Sequence, residues 1–439
     1  MLILDTFTII GLSVGAFLFV ILTLVFVLMF AQKKLVPSGD IKIVVNGDEA
    51  NPIITKPGST LLTTLSERKL FLPSACGGGG TCAMCKCQVI DGGGDVLPTE
   101  KGHLSRKEQA DNWRLACQVK VKNDMVVHVP EEVFGIKKWE CEVVSNYNVA
   151  TFIKEFVVRL PEGEHLEFES GGYIQVDVPA CEVDFSTMDI APHPNDPAGK
   201  DKFKEDWDKF NLWDLKMKNP EPIFRAYSMA NHPAEGNIIM LNIRIATPPW
   251  DRANNRWMQV NPGVCSSFVF GCKPGDKVTI SGPYGEFFIR PTQNEMVYIG
   301  GGAGMAPLRS HIYHLFHTLR TDRTVSFWYG GRSKRELFYI DEFRAIEKEF
   351  PNFRFHVVLS EPLPEDNWKV VTGVEDREGD GFLGFVHQAF IDNYLSKHSD
   401  PEEIEFYFCG PPMMNAAVVK MCDDWGIPEE HISFDDFGG

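Results

Sequence analysis

At 439 residues the chain is too long for one compact core, so two to four domains are expected. Its composition, 44% apolar and 23% charged, is that of globular protein, and a formal net charge of -17 argues against a nucleic-acid partner. The 11 cysteines form no secreted disulfide framework: several crowd into residues 76–87, a placement that points to metal ligands plus reduced thiols in a reducing compartment.

The chain opens with its plainest physical signal. Ile9 to Ala31 carries neither charge nor proline. As a helix it extends about 35 Å, enough for a bilayer core of ~30 Å. A cleaved signal peptide would be shorter and would follow a basic residue, whereas Asp5 stands here. A retained single-pass anchor is therefore expected over residues 1–36. Lys33 and Lys34 after the span place the rest of the chain in the cytoplasm. Gly11 and Gly15, four apart, suit close approach of another helix.

Pro37 to Asp40 is a short linker, and residues 41–45 and 52–55 alternate as strands around the Asn46-Gly47 turn. Thr60 to Lys69 reads as a short helix, and residues 86–90 and 118–129 read as strands. A small α+β domain over 37–134 is the result. Within it CGGGGTCAMC sets Cys76, Cys82 and Cys85 in a glycine-rich loop at C-x5-C-x2-C, with 31 residues separating Cys85 from Cys117. Four thiolates converging from one tight loop and one distant element are the ligand set of a [2Fe–2S] cluster. Glycines 77–80 let the backbone fold around inorganic sulfide with positive φ angles. Structural zinc favours two close cysteine pairs, and only one is present. Cys87, two residues past Cys85, is expected to be a buried strand residue.

Residues 135–291 are rich in short strands: 139–145, 149–159, 172–178, 223–229, 238–246 and 277–281, the pattern of an antiparallel barrel. Residues 180–222 interrupt it with a polar insertion containing Trp207 and Trp213, of the length usual for functional or mobile loops. In Arg225-Ala226-Tyr227-Ser228 the guanidinium suits a pyrophosphate, the phenol ring can lie along an isoalloxazine, and the hydroxyl can meet the flavin N5 edge. Gly263 to Ser267 opens a helix whose free N–H groups suit phosphate, and Gly282-Pro283-Tyr284-Gly285 comes next.

From residue 292 strands and helices alternate: strands at 296–300, 324–329, 353–359 and 404–408, helices at 306–320, 341–349, 384–397 and 411–425. That is a doubly wound α/β domain. Its first strand runs into Gly300-Gly301-Gly302-Ala303-Gly304-Met305-Ala306-Pro307, where side-chain-free residues admit a phosphate and Pro307 suits a first helical turn. No acidic residue ends the next strand. Arg332, Lys334 and Arg335 stand there, able to accept a 2′-phosphate, so these residues alone leave NADH against NADPH open.

R-x-Y-S, G-x-x-S-S, G-P-x-G, G-G-x-G-x-x-P and C-G-P-P occur in this order over residues 140–439. In this the chain resembles the ferredoxin–NADP reductase superfamily. The resemblance implies FAD held by Arg225, Tyr227, Ser228, Asn242, Arg244, Gly263, Ser266 and Ser267, and covered by a terminal aromatic, Phe437. It implies a nicotinamide site of Gly300, Gly301, Gly302, Gly304, Met305, Pro307 and Arg332, with Cys409 and Ser228 positioning the ring for hydride transfer. It also tilts the nucleotide to NADH. The anchor, β-grasp ferredoxin domain, long insertion and reductase pair together are similar to the sodium-translocating NADH:quinone reductases. That similarity implies an electron-input subunit on a bacterial inner membrane, passing electrons from NADH through FAD and [2Fe–2S] to partner subunits that reduce ubiquinone with sodium translocation. The reductase component of a multicomponent oxygenase shares the three redox domains but lacks the anchor. A tethered ferredoxin whose other domains are scaffolding would oxidise no NADH.

Overall fold

The computed structural model describes residues 2–35 and 39–437 and, in the first helix, the side chains of residues 11–27. The chain divides into two units, residues 1–73 with 78–135, and residues 74–77 with 136–439.

In the first unit α1 (Leu2–Leu35) is one continuous helix. Its described side chains, Phe17, Leu22 and Phe26 among them, are exposed. Among the described residues no helix is long and apolar enough to cross a membrane. The expected span Ile9–Ala31 runs past the described side chains at both ends, and Pro37 and Ser38 of the linker lie outside the described residues.

Five strands come next with three short helices: β1 (Ile41–Val45), β2 (Ile53–Thr55), α2 (Leu61–Glu67), β3 (Lys86–Asp91), α3 (Pro98–Lys101), α4 (Arg106–Ala110), β4 (Trp113–Leu115) and β5 (Met125–His128). They form one mixed sheet in the order β2-β1-β5-β3-β4, with β1 parallel to β5. Asn46 and Gly47 both adopt positive φ, as the turn signal requires. Pairing with β2 nevertheless resumes only at Ile53. Thr60 caps α2 by accepting from Thr63 N–H, and Leu61, Leu62 and Leu65 are buried. Of the expected strand 118–129 only 125–128 forms, because Lys122-Asn123-Asp124 turns the chain; β4 is an addition to the expected strands.

The second unit opens with β6 (Lys137–Ala150), β7 (Ile153–Arg159) and β8 (Tyr173–Val178). The insertion supplies β9 (Cys181–Asp184), α5 (Lys204–Lys209) and β10 (Lys216–Asn219); then come β11 (Ile223–Ser228), β12 (Ile238–Arg244), the two-residue strands β13 (Trp250–Asp251) and β14 (Arg256–Trp257), α6 (Val264–Gly271) and β15 (Lys277–Tyr284). Antiparallel pairing orders the main sheet β11-β8-β15-β6-β7-β12, and one bridge, Met229 to Leu241, links the chain after β11 to β12. Inward residues such as Val143, Phe156, Val176, Leu241 and Ile280 make its core.

The insertion is not a loose loop. β9 and β10 pair antiparallel, and Trp207, 0% exposed, sits among Phe185, Phe203 and Phe270 with its indole N–H on Thr151 O at 2.9 Å. The polar composition that reads as loop masks apolar residues spaced widely enough to escape any short window, yet sufficient for a satellite core.

The remainder is β16 (Met296–Gly301), α7 (Met305–Tyr313), β17 (Val325–Gly331), α8 (Ile340–Glu349), β18 (Phe353–Leu359), β19 (Phe382–Leu383), α9 (Val386–Asn393), β20 (Glu405–Cys409), α10 (Pro412–Asp424) and β21 (Ile432–Asp435). All six strands are parallel, in the order β19-β18-β17-β16-β20-β21. Successive residues of β16 serve opposite faces: Met296 and Tyr298 join α7 and α8 in one core, Val297 and Ile299 join α9 and α10 in the other. The terminal strand β21 lies outside the expected pattern. Its apolar residues are too few to signal a strand, and it forms because the edge of β20 offers it pairing partners.

Candidate functional site

The boundary between the units cuts through the cysteine loop, residues 74–77 grouping with the second. Gly77, Gly78 and Gly80 hold positive φ, and so does Ala83. Cys82 and Cys85 stand later in the loop, and β4, running antiparallel to β3, delivers Cys117. The Cys85 and Cys117 thiols are hydrogen-bonding partners, and that bond with burial raises Cys85 well above the usual thiol range. The Gln118 side-chain amide donates to Cys117 Sγ at 3.6 Å. A Cβ on Gly80 would stand 2.5 Å from that amide. Cys87 is buried in β3, its thiol pushed up to about 12 by burial. Among the described residues no three His, Cys, Asp or Glu gather as ligands of one ion. A two-iron cluster shares its four thiolates between two metals, so a close thiol pair beside a glycine cradle fits it better than a single-ion shell.

Arg225 and Tyr227 project from one face of β11, and the electrostatic partners of the Cys265 thiol and the Tyr227 phenol put both beside the first turn of α6. Burial of the phenol end raises Tyr227 well above the tyrosine range. Gly263 precedes α6 with no side-chain cap, and a Cβ there would lie 2.5 Å from Ala246 Cβ. Ser267 Oγ is buried with no hydrogen-bond partner, near the start of a helix that has no side-chain cap. An orphaned hydroxyl, free N–H groups and a nearby guanidinium fit a dinucleotide pyrophosphate. Ser266 is otherwise engaged, accepting from Ala246 N–H and donating to Gly263 O, both at 3.1 Å.

Asn242 and Arg244 face away from the sheet core. The Asn242 amide donates to Tyr339 Oη at 2.8 Å, and Tyr339 donates to Glu155 at 2.6 Å. Arg244 lies near Glu336 and Arg332. These residues join the β12 sheet to the nucleotide domain rather than the Arg225 cluster. Tyr339, at a left-handed φ of 61°, and Glu155 carry no signal in the sequence.

In the nucleotide domain Gly300 pairs with Cys409 and Gly301 with Gly330, so three strand ends lie side by side. Glycine is required at 304, where a Cβ would stand 2.0 Å from Cys409 O. Gly302 takes a φ of 58°, while Met305 and Pro307 are buried in the first turn of α7. Arg332 is exposed and meets Glu336 at 3.8 Å.

Ser228 and Cys409 are brought together through a residue that the sequence does not single out. Ser228 donates to Asp435 Oδ2 at 2.7 Å, and Asp435 pairs in register with Cys409. Burial raises the Asp435 carboxyl above its ordinary value, against the opposing Ser228 hydrogen bond. Burial, then Asp435 and Asp436, raises the Cys409 thiol well above its ordinary range, so it stays neutral. Phe434 and Phe437 are both exposed, and Phe434 stacks on Phe408 with ring centroids 5.1 Å apart.

Models of three families match: a 2Fe-2S iron-sulfur cluster binding domain over residues 44–122, an oxidoreductase FAD-binding domain over 211–289 and an oxidoreductase NAD-binding domain over 298–420. Among solved structures, the Amycolatopsis cytochrome P450 reductase GcoB superposes with a TM-score of 0.57 at 25% identity, covering 90% of this chain and 98% of its own. The ferredoxin reductase in carbazole 1,9a-dioxygenase gives 0.55 at 22%, covering 91% and 99%, a likeness of fold alone. Relatives that span the whole chain are more specific. The F subunit of the Na(+)-translocating NADH-quinone reductase of Idiomarina loihiensis is 51% identical, with 98% of this chain and 99% of the relative covered. That of Actinobacillus succinogenes is 52% identical over 97% and 98%, and that of Neisseria meningitidis 51% over 98% and 99%. Identity at this level over nearly the full length places the chain: it belongs to the family of F subunits of the Na(+)-translocating NADH-quinone reductase.

Proposed function

We propose that this chain is the electron-input subunit of a sodium-translocating NADH:quinone reductase, oxidising NADH and delivering single electrons to partner subunits. The observation that carries this reading is the meeting of Ser228, Asp435 and Cys409 where the end of β11 reaches the strand ends of the nucleotide domain.

Arg225, the start of α6 and the Ser267 hydroxyl hold the FAD pyrophosphate, with Tyr227 along the ring. The loop from Gly300 to Pro307 would seat the dinucleotide with Arg332 towards its adenosine portion, and Phe437 is the terminal aromatic that would cover the flavin. Cys409 and Ser228 fix the nicotinamide; the neutral thiol adds no charge beside it, and Asp435 keeps the serine hydroxyl oriented. Cys76, Cys82, Cys85 and Cys117 hold the [2Fe–2S] cluster. A bound flavin would supply the conversion between two-electron hydride chemistry with NADH and the single-electron transfers that a [2Fe–2S] cluster accepts.

We read residues 1–36 as anchor and linker, 37–134 as a β-grasp ferredoxin domain, 135–291 as the FAD barrel and 292–439 as the NAD domain. The bridge between Met229 and Leu241 supports closure of the barrel, and the split after residue 135 supports the ferredoxin boundary. The uncharged stretch in α1, exposed over its described length, supports a single pass through the bacterial inner membrane with the other domains on the cytoplasmic side.

The test is made on the complex purified with this chain. NADH bleaches its flavin and produces a rhombic [2Fe–2S] resonance. Cys76→Ala abolishes the resonance and keeps NADH:ferricyanide activity. No NADH oxidation by the flavin-loaded complex refutes the reading. If deleting residues 1–35 left delivery to the native acceptor intact, the oxygenase-reductase alternative would gain.

A further inference from the structure

The sequence after β17 is basic, Arg332-Ser333-Lys334-Arg335, and stands where a doubly wound nucleotide domain reads the ribose 2′ position of its ligand. Such a run would ordinarily favour a 2′-phosphate. In the folded chain each cation faces carboxylates. Arg332 meets Glu336 at 3.8 Å, and Lys334 meets Asp380 at 3.7 Å. Arg335 is the most engaged: Nη1 lies 3.3 Å from Asp206, and Nη2 lies 3.3 Å from Glu205 and 3.1 Å from Glu365.

Two of those carboxylates come from the insertion rather than the nucleotide domain. They are consecutive residues on α5, immediately before Trp207, whose burial at 0% exposure fixes the helix against Thr151 and the insertion core. Anchorage by Trp207 therefore aims Glu205 and Asp206 at Arg335. Three carboxylates against one guanidinium leave two net negative charges at this corner.

We propose that the insertion is a specificity element that weakens a 2′-phosphate-binding loop, so that the site favours NADH over NADPH. This rests on the proposed nicotinamide dinucleotide site. At an assumed separation of one Debye length, ~8 Å, a phosphate dianion would meet repulsion from the two insertion carboxylates that, screened at 0.15 M ionic strength, amounts to about five-fold in affinity and more at low salt.

The test uses the flavin-loaded full-length chain with ferricyanide as acceptor. In the double variant Glu205→Gln, Asp206→Asn, kcat/KM for NADPH rises about five-fold through KM, while kcat and both NADH constants stay within two-fold. Adding Arg335→Leu to that background removes the gain. An unchanged ratio of NADPH to NADH, or a gain that survives loss of Arg335, overturns the proposal. The wild-type chain gives a second readout that needs no variant: its preference for NADH narrows as ionic strength rises from about 0.02 to 0.5 M, and a preference indifferent to salt equally overturns it. Failure of the wild type to oxidise NADH at all is a different result, and it strikes the proposed activity instead.

Discussion

Glu100 offers the sharpest test of what holds the cluster-bearing unit together. Its carboxylate is 0% exposed and Arg114 is 3% exposed. Arg114 Nε donates at 3.0 Å and Nη2 at 2.6 Å, and the backbone N–H groups of Leu97 and Leu115 donate at 2.9 Å each. Arg114 also reaches the carbonyls of Gly93 and Gly94. This network fixes β4, two residues before Cys117. In Glu100→Gln the amide NH2 must face donors and the guanidinium loses its counter-charge. Breaking one partner of a buried pair costs about 3–5 kcal/mol. With a urea slope of roughly 1.5 kcal/mol per molar, about 3 kcal/mol moves the midpoint down by about 2 M. The assay follows loss of the visible iron–sulfur absorbance of the full-length protein in urea, with NADH:ferricyanide activity recorded alongside. A midpoint shift below about 0.5 M would refute the claim that this pair supports the cluster unit. Loss of diaphorase activity at the same urea concentration would show that the two units do not unfold separately.

Asp435→Asn tests the seam at Ser228. The folded carboxyl is raised above its unfolded value, so folding penalises the charged form; the penalty is absent at low pH and grows as pH rises past the unfolded pKa. The variant is therefore expected to melt higher than wild type at pH 7 and level with it near pH 3.5; a lower melting point at pH 7 contradicts this. His311, 0% exposed with Nε2 3.0 Å from Phe287 O, is depressed by burial to about 4. A depressed histidine lends stability above its unfolded pKa that is lost as pH falls towards the folded value, here about 3 kcal/mol between pH 6.5 and 4. His311→Gln should flatten that part of the acid limb in pH-dependent denaturation of the second unit, and an unaltered limb would reassign it to other groups.

Much of the chemistry is legible in the chain itself, because it rides on short-range spacing. Close approach of backbone to phosphate or sulfide demands glycine, and thiolates from one loop demand a fixed interval, so Cys76 to Cys85 and Gly300 to Pro307 speak locally. Parallel strands buried on both faces likewise announce themselves as apolar runs such as Met296 to Ile299. The insertion is less legible because its core is assembled from residues scattered between Phe185 and Phe270.

The sequence by itself determined the set of cofactors and the order of the domains, since each motif is a local backbone requirement that few residue types can meet. Tertiary structure alone decided which charges face one another. Asp435 reaches Ser228 only because β21 adds to the edge of β20, and Arg335 meets Glu205 and Asp206 only because a buried tryptophan holds α5 across from it. Pairings between residues more than a hundred positions apart depend on the packing of whole elements, and no window of sequence contains them.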